Sequence, residues 1–166
     1  MPSKCRDPKF ISLSNPKLSS LQKLHKVTNR YFIILDYNGS KFHGWQIQPN
    51  AITVQEVLNN VLSKLLREEI NVVGCGRTDT GVHAKNFVAH FNCANPIENN
   101  DNLVYKLNAF LPKEIAIQKL TLVKPDSHSR FDATDRTYKY YIRQNKDTFD
   151  FNYSLRVTQQ LNLDLM

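Results

Sequence analysis

The sequence predicts an α+β fold in which elements follow one another as β-α-β-β-α-β between residues 31 and 123. Three observations carry that expectation. Short runs rich in β-branched and aromatic residues recur with strand-like patterning, two longer segments repeat apolar residues at helical spacing, and Gly, Pro or Asn punctuates the joins between them. The order is that of the split βαβ, ferredoxin-like or RRM-like unit. At 166 residues, a formal charge of +7 and 41% hydrophobic residues, the chain has the size and composition of a globular domain. No apolar run in it approaches the ~20 residues that a spanning helix needs.

The first strand is expected over 31–37 (Tyr-Phe-Ile-Ile-Leu-Asp-Tyr), stopping at Asn38-Gly39. A polar loop with Trp45 and Pro49 follows. Thr53-Val-Gln-Glu56 then forms a capping box, in which the Thr oxygen takes an orphan backbone N–H and Glu56 reaches back to the cap. Val54, Val57, Leu58, Val61, Leu62, Leu65 and Leu66 make one apolar stripe on the helix it starts. Strands are expected over 70–75 and 86–92, a helix over 100–110 ending before Pro112, and an alternating strand over 115–123. A further strand is expected over 136–143, where Tyr138, Tyr140 and Ile142 alternate with Lys139, Tyr141 and Arg143.

These elements divide the chain into three regions: a flexible basic leader (1–29), an α+β subdomain (30–123), and a linker with the start of a second α+β half (124–166), which is begun rather than completed. The leader holds six basic side chains against Asp7, a net of +5, so most of the excess charge lies there. Its Leu18, Leu21, Leu24 and Val27 could line one face of a short helix. A second basic stretch, between Lys119 and Lys146, sets seven Lys and Arg against three Asp. Cys5, Cys75 and Cys93 are odd in number and scattered, which argues against a secreted disulfide framework and leaves a reducing, cytoplasmic setting.

Gly74-Cys-Gly-Arg-Thr-Asp-Thr-Gly-Val-His-Ala84 is the densest cluster of special residues. Arg77 and Asp79 stand two apart, a spacing that allows their charges to pair and keep the carboxylate ionised, as a carboxylate nucleophile requires. An Asx-type turn braced by arginine would give the same pattern. His25, His43, His83, His90 and His128 show no metal-ligand spacing, and no Cys pair supports a zinc site. His83 reads as a turn or core residue. Tyr138, Tyr140 and Tyr141 among Lys139 and Arg143 have the mixture that stacks bases and grips phosphate, and equally that of an ordinary strand with one aromatic face buried.

Cys75-Gly-Arg-Thr-Asp-Thr-Gly-Val-His-Ala84 resembles the catalytic motif of the TruA family of tRNA pseudouridine synthases. The likeness extends in order along the chain. Leu35-Asp-Tyr-Asn-Gly-Ser-Lys-Phe-His-Gly-Trp-Gln46 resembles that family's first strand and loop, Thr53–Glu56 the start of its first helix, and Leu107–Pro112 the end of its second. Ser129-Arg-Phe-Asp-Ala-Thr134 through Arg136-Thr-Tyr-Lys-Tyr140 resembles its second active-site segment. The resemblance implies the pseudouridine synthase fold and an isomerase, with neither cofactor nor metal, that converts uridine to pseudouridine at positions 38, 39 and 40 in the tRNA anticodon stem-loop. It implies Asp79 as nucleophile, Arg77 as its ion-pair partner and Tyr138 as a ring that stacks on the extruded uracil and assists loss of the C5 proton. Arg130 and Phe131 would help shape the pocket, and Lys41, Trp45 and Gln46 would contact RNA. Members of that family continue well beyond the matching stretch and form homodimers with tRNA lying across both subunits. The chain is therefore expected to lack the half that closes the cleft, which leaves a non-catalytic RNA-binding module as the alternative.

Overall fold

The computed structural model of the protein describes residues 28–162, so the expectations for the leader up to residue 27, and for the last four residues, lie outside the described residues. Strands β1 (Asn29–Tyr37), β2 (Val73–Gly74), β3 (Ala84–Cys93) and β4 (Ile115–Val123) form one antiparallel sheet in the order β2-β3-β1-β4, with helices α1 (Val54–Leu66) and α2 (Asn100–Phe110). The two long strands flanking β1 are remote from it in sequence, so the sheet's centre is built entirely from non-local pairings: Ile33 lies opposite both Ala89 and Leu120.

Alternation along β1 decides which face is buried. Tyr31, Ile33, Leu35 and Tyr37 point to the helix side and are almost wholly buried, whereas Phe32, Ile34 and Asp36 lie on the other side and keep partial exposure. The helices complete the core with Val54, Leu58 and Leu62 of α1, spaced by four, and Leu103 and Leu107 of α2. Each helix starts on a polar cap. Thr53 Oγ1 accepts the Glu56 N–H at 3.4 Å, and Asn99 Oδ1 accepts the Asn102 N–H at 2.9 Å. Asn108 then ties α2 to β4, donating to the Ile117 carbonyl and accepting its N–H (2.9 and 2.7 Å).

Two strands differ from expectation. Only Val73–Gly74 of the run 70–75 pairs in the sheet. Ile70 and Val72 are buried, but their N–H groups donate to Ser63 Oγ and Asn59 Oδ1 of α1, and the Val72 carbonyl accepts from Gln55. The helix's polar side chains satisfy a backbone that periodicity alone assigns to a strand. The strand expected over 136–143 is reduced to β5 (Ile142–Arg143), which pairs in parallel with β6 (Leu155–Arg156) outside the main sheet. Tyr138, Tyr140 and Tyr141 are exposed, so their alternation has no buried face to serve. Among the described residues no helix is long and apolar enough to cross a membrane.

Leu62, on α1, is fully buried in the core. Truncation to Ala removes three heavy atoms and leaves a cavity, and is expected to destabilise the domain by about 2–5 kcal/mol. Urea unfolding of the Leu62→Ala protein, with an unchanged slope and a lower midpoint, checks it.

Candidate functional site

The loop between β2 and β3 carries Arg77 and Asp79, and its shape is set by the loop after β1. Thr78, between the two, is held at both ends. Its hydroxyl shares a 2.8 Å hydrogen bond with the Tyr37 hydroxyl, and its carbonyl accepts the Trp45 N–H at 3.2 Å. Burial pushes the Tyr37 phenol up to about 12, only partly offset by the bond to Thr78, so it remains a neutral partner. Gly44 sits at φ +79°, and a Cβ there would stand 2.2 Å from the Thr78 carbonyl oxygen, so a residue with a side chain cannot take this approach. Further along, the Gly81 N–H donates to the Phe42 carbonyl and the Val82 N–H to the Asp79 carbonyl, both at 3.2 Å, closing a turn that leaves Asp79 exposed.

Trp45 anchors the opposite side of this contact. It is 3% exposed, its ring centroid lies 4.3 Å from that of Phe87, and its indole packs where a Cβ on Gly74 would come within 2.6 Å. Expected as an RNA contact, it is mainly a core residue. One edge of it reaches a cleft of about 130 Å³ that also has Gln46, Gly76, Arg77 and Arg130 in its walls. Four of the sequence-identified residues thus converge, from three separate segments.

The others do not. The expected pairing of Arg77 with Asp79 is not formed: the one ion pair among the described residues joins Lys41 to Glu114 at 2.6 Å. That hydrogen bond from the ammonium holds the Glu114 carboxyl below its usual range. With Thr78 fixed between them, Arg77 turns into the cleft while Asp79 lies in the outward turn. Phe131 is exposed and packs on His128, with ring centroids 4.2 Å apart. Tyr138 is 66% exposed and makes no hydrogen bond to Asp79.

Residues that motif reading passes over hold the segment carrying Arg130. Ser129, buried, donates its N–H to His90 Nδ1 (3.2 Å), and its Oγ lies 2.8 Å from that nitrogen and 2.9 Å from the Val73 carbonyl oxygen. His90 faces the His128 ring and lies in reach of Arg30. Burial, then those two neighbours, lower its pKa from 6.5 to about 4, leaving a neutral imidazole that can accept. Alternation puts His90 on the face of β3 turned away from the helices, with Val88 and Asn92, so periodicity gives no signal that it is buried.

Comparison with known proteins adds to this geometry. The model of a family described as tRNA pseudouridine synthase matches residues 33–132, which include every residue of the cleft. Among curated proteins, the chain is 48% identical over 137 residues to the tRNA pseudouridine synthase A of Parabacteroides distasonis, covering 82% of this chain and 54% of that protein. The protein of the same name from Bacteroides fragilis is 49% identical with the same coverage, and that from a Thermoanaerobacter species 40% identical over 81% of this chain and 55% of its own. The chain spans about half the length of the curated relatives it matches.

A neutral His90 under Ser129 makes stability depend on pH. Unfolded, the imidazole titrates near its ordinary value; folded, it takes up a proton only near pH 4. Between those values the unfolded chain binds more protons, so stability is fully present above about 6.5 and is lost as pH falls towards 4. Urea midpoints across that window are expected to fall for the parent protein and to run flatter for His90→Asn.

Proposed function

The chain belongs to the tRNA pseudouridine synthase family, and from that premise we propose that it is the nucleophile-bearing part of an isomerase that turns uridine into pseudouridine in tRNA. One observation carries the reading: Asp79 is presented to solvent in a turn whose backbone is fixed on both sides, beside a cleft with two unpaired guanidiniums. A carboxylate serves this chemistry by attacking C1′ or the pyrimidine ring while uracil detaches, rotates and rejoins through C5. Exposure leaves the carboxylate open to a nucleotide turned out of its stack. Arg77 and Arg130 supply positive charge for the RNA backbone, and Gln46 a side-chain amide at the same rim.

The finer assignments rest on the resemblance of the motif run. They are the anticodon stem-loop at positions 38–40 as target, Tyr138 as the ring stacked on uracil, a cytoplasmic setting, and a homodimer in the longer protein. The order β2-β3-β1-β4 supports reading 30–123 as a ferredoxin-like unit, and the departure of the chain from that sheet after Val123 supports reading 124–166 as a linker and the start of a second half. An RNA-binding module without turnover is the second reading, and one observation favours it: Tyr138 stands exposed on a segment outside the main sheet.

Incubation of unmodified tRNA with stoichiometric protein, followed by digestion and measurement of pseudouridine, separates the two. Product at 38–40 is expected from the parent chain, and a loss of about 10³-fold or more from Asp79→Ala. Undiminished product from Asp79→Ala would remove the nucleophile assignment. RNA binding without product in the parent would favour the second reading.

A further inference from the structure

The stretch 127–136 crosses from the end of β4 to the rim of the cleft and is tied down along its length. Arg30 Nη1 donates to the Ser127 carbonyl at 2.9 Å, Ser129 is fixed on His90 and Val73, and the Asp132 carboxylate accepts the His128 N–H at 2.7 Å. Arg136 makes the last attachment. Its Nε and Nη2 both donate to the Cys75 carbonyl (3.0 and 2.7 Å), and Nη2 donates also to the Arg130 carbonyl at 2.9 Å. One guanidinium therefore joins the backbone that leads into Arg77 to the backbone that carries Arg130.

Those two arginines line the same cleft, no acidic residue lines it, and neither is in an ion pair. Holding like charges in one cleft is unfavourable unless an anion enters between them. A planar fork on each side matches phosphate oxygens in geometry and charge. At about 130 Å³ the cleft is smaller than pockets that enclose whole ligands, so it suits one group of a larger molecule.

We propose that Arg136 is a positioning residue: its three backbone hydrogen bonds set Arg77 and Arg130 as facing walls of a site for one phosphate of a bound RNA strand. This rests on the RNA-directed reading above. Lysine cannot replace it, because an ammonium lacks the planar fork that reaches two carbonyls in fixed directions.

Two measurements on the full chain test it. In fluorescence anisotropy with a labelled RNA hairpin, Arg130→Ala and Arg136→Lys are each expected to weaken binding about tenfold. The double variant should be no weaker than Arg130→Ala alone, whereas Arg136→Lys combined with Lys41→Ala should multiply the two losses. Arg136→Lys keeps the charge yet should lower the salt slope by about 0.7, because a phosphate contact is lost. Parent-like binding by Arg136→Lys, or equal coupling to Arg130 and Lys41, overturns the proposal. The second measurement needs no variant. Inorganic phosphate titrated into the parent should shift the Nε–H NMR signals of Arg77 and Arg130 together and leave that of Arg136, bound to Cys75, in place. Movement of the Arg136 signal instead, or of none, also overturns it. Failure of the parent to bind any RNA while phosphate still shifts both arginines would instead remove the RNA reading.

Discussion

The hold on Thr78 is the constraint from which the rest of the site follows. Tyr37 takes its hydroxyl, Trp45 takes its carbonyl, and Gly44 lets the two loops touch without a side chain between them. Neither bond is strong alone, at roughly 1 kcal/mol net. Their effect is geometric: a residue held at side chain and backbone has little freedom to rotate, so the loop that carries Arg77 and Asp79 is fixed with it. Arg77 enters the cleft and Asp79 the outward turn. The hold in turn depends on the core, since Tyr37 and Trp45 pack with Phe87 as a three-ring cluster under the loop. The turn that carries an exposed carboxylate is thereby tied to the core.

The two faces of the sheet serve different ends. The helix-covered face is apolar and supplies the rigidity, with Tyr31 stacked on Phe91 and its hydroxyl accepting the Ile97 N–H at 2.9 Å. The other face is where chain 127–136 lies, and its contacts are polar: Arg30, His90 and Val73 each bond to it. A neutral imidazole is what makes this possible, because Ser129 must donate its backbone N–H to Nδ1. Burial under the strap keeps His90 neutral, and its neutrality keeps the strap in place, so the two stabilise one another.

Much of this fold was legible in the sequence. The helix over 100–110, the Thr53 cap, and the strands at 31–37 and 115–123 all follow from local patterning with punctuation at each end. What was not legible depends on partners remote in sequence. Alternation over 136–143 announces a strand, but a strand exists only where another accepts its hydrogen bonds, and there the pairing is limited to two residues with Leu155 and Arg156. Short range misleads at Arg77 and Asp79 as well: two residues apart they read as an ion pair, and in the folded loop they form none. The motif residues were identifiable, but their convergence with Arg130 was not, because Ser129 and Arg136 bring that segment in through backbone carbonyls that carry no sequence signature.

Those carbonyls also explain how positive charge is kept available. Arg30, Arg136, Arg143 and Arg156 each donate to neutral backbone oxygens rather than to carboxylates. A guanidinium held by a carbonyl is as well oriented as one in a salt bridge, yet its charge is not cancelled, so the field it adds to the surface survives. Net charge is therefore a poor guide to this surface, because most of the sequence's excess lies in residues 1–29. At physiological ionic strength the field of each charge extends only about 8 Å. Over that range what matters to a polyanion is which cations are uncancelled at the cleft, and Arg77 and Arg130 line it with no acidic residue beside them.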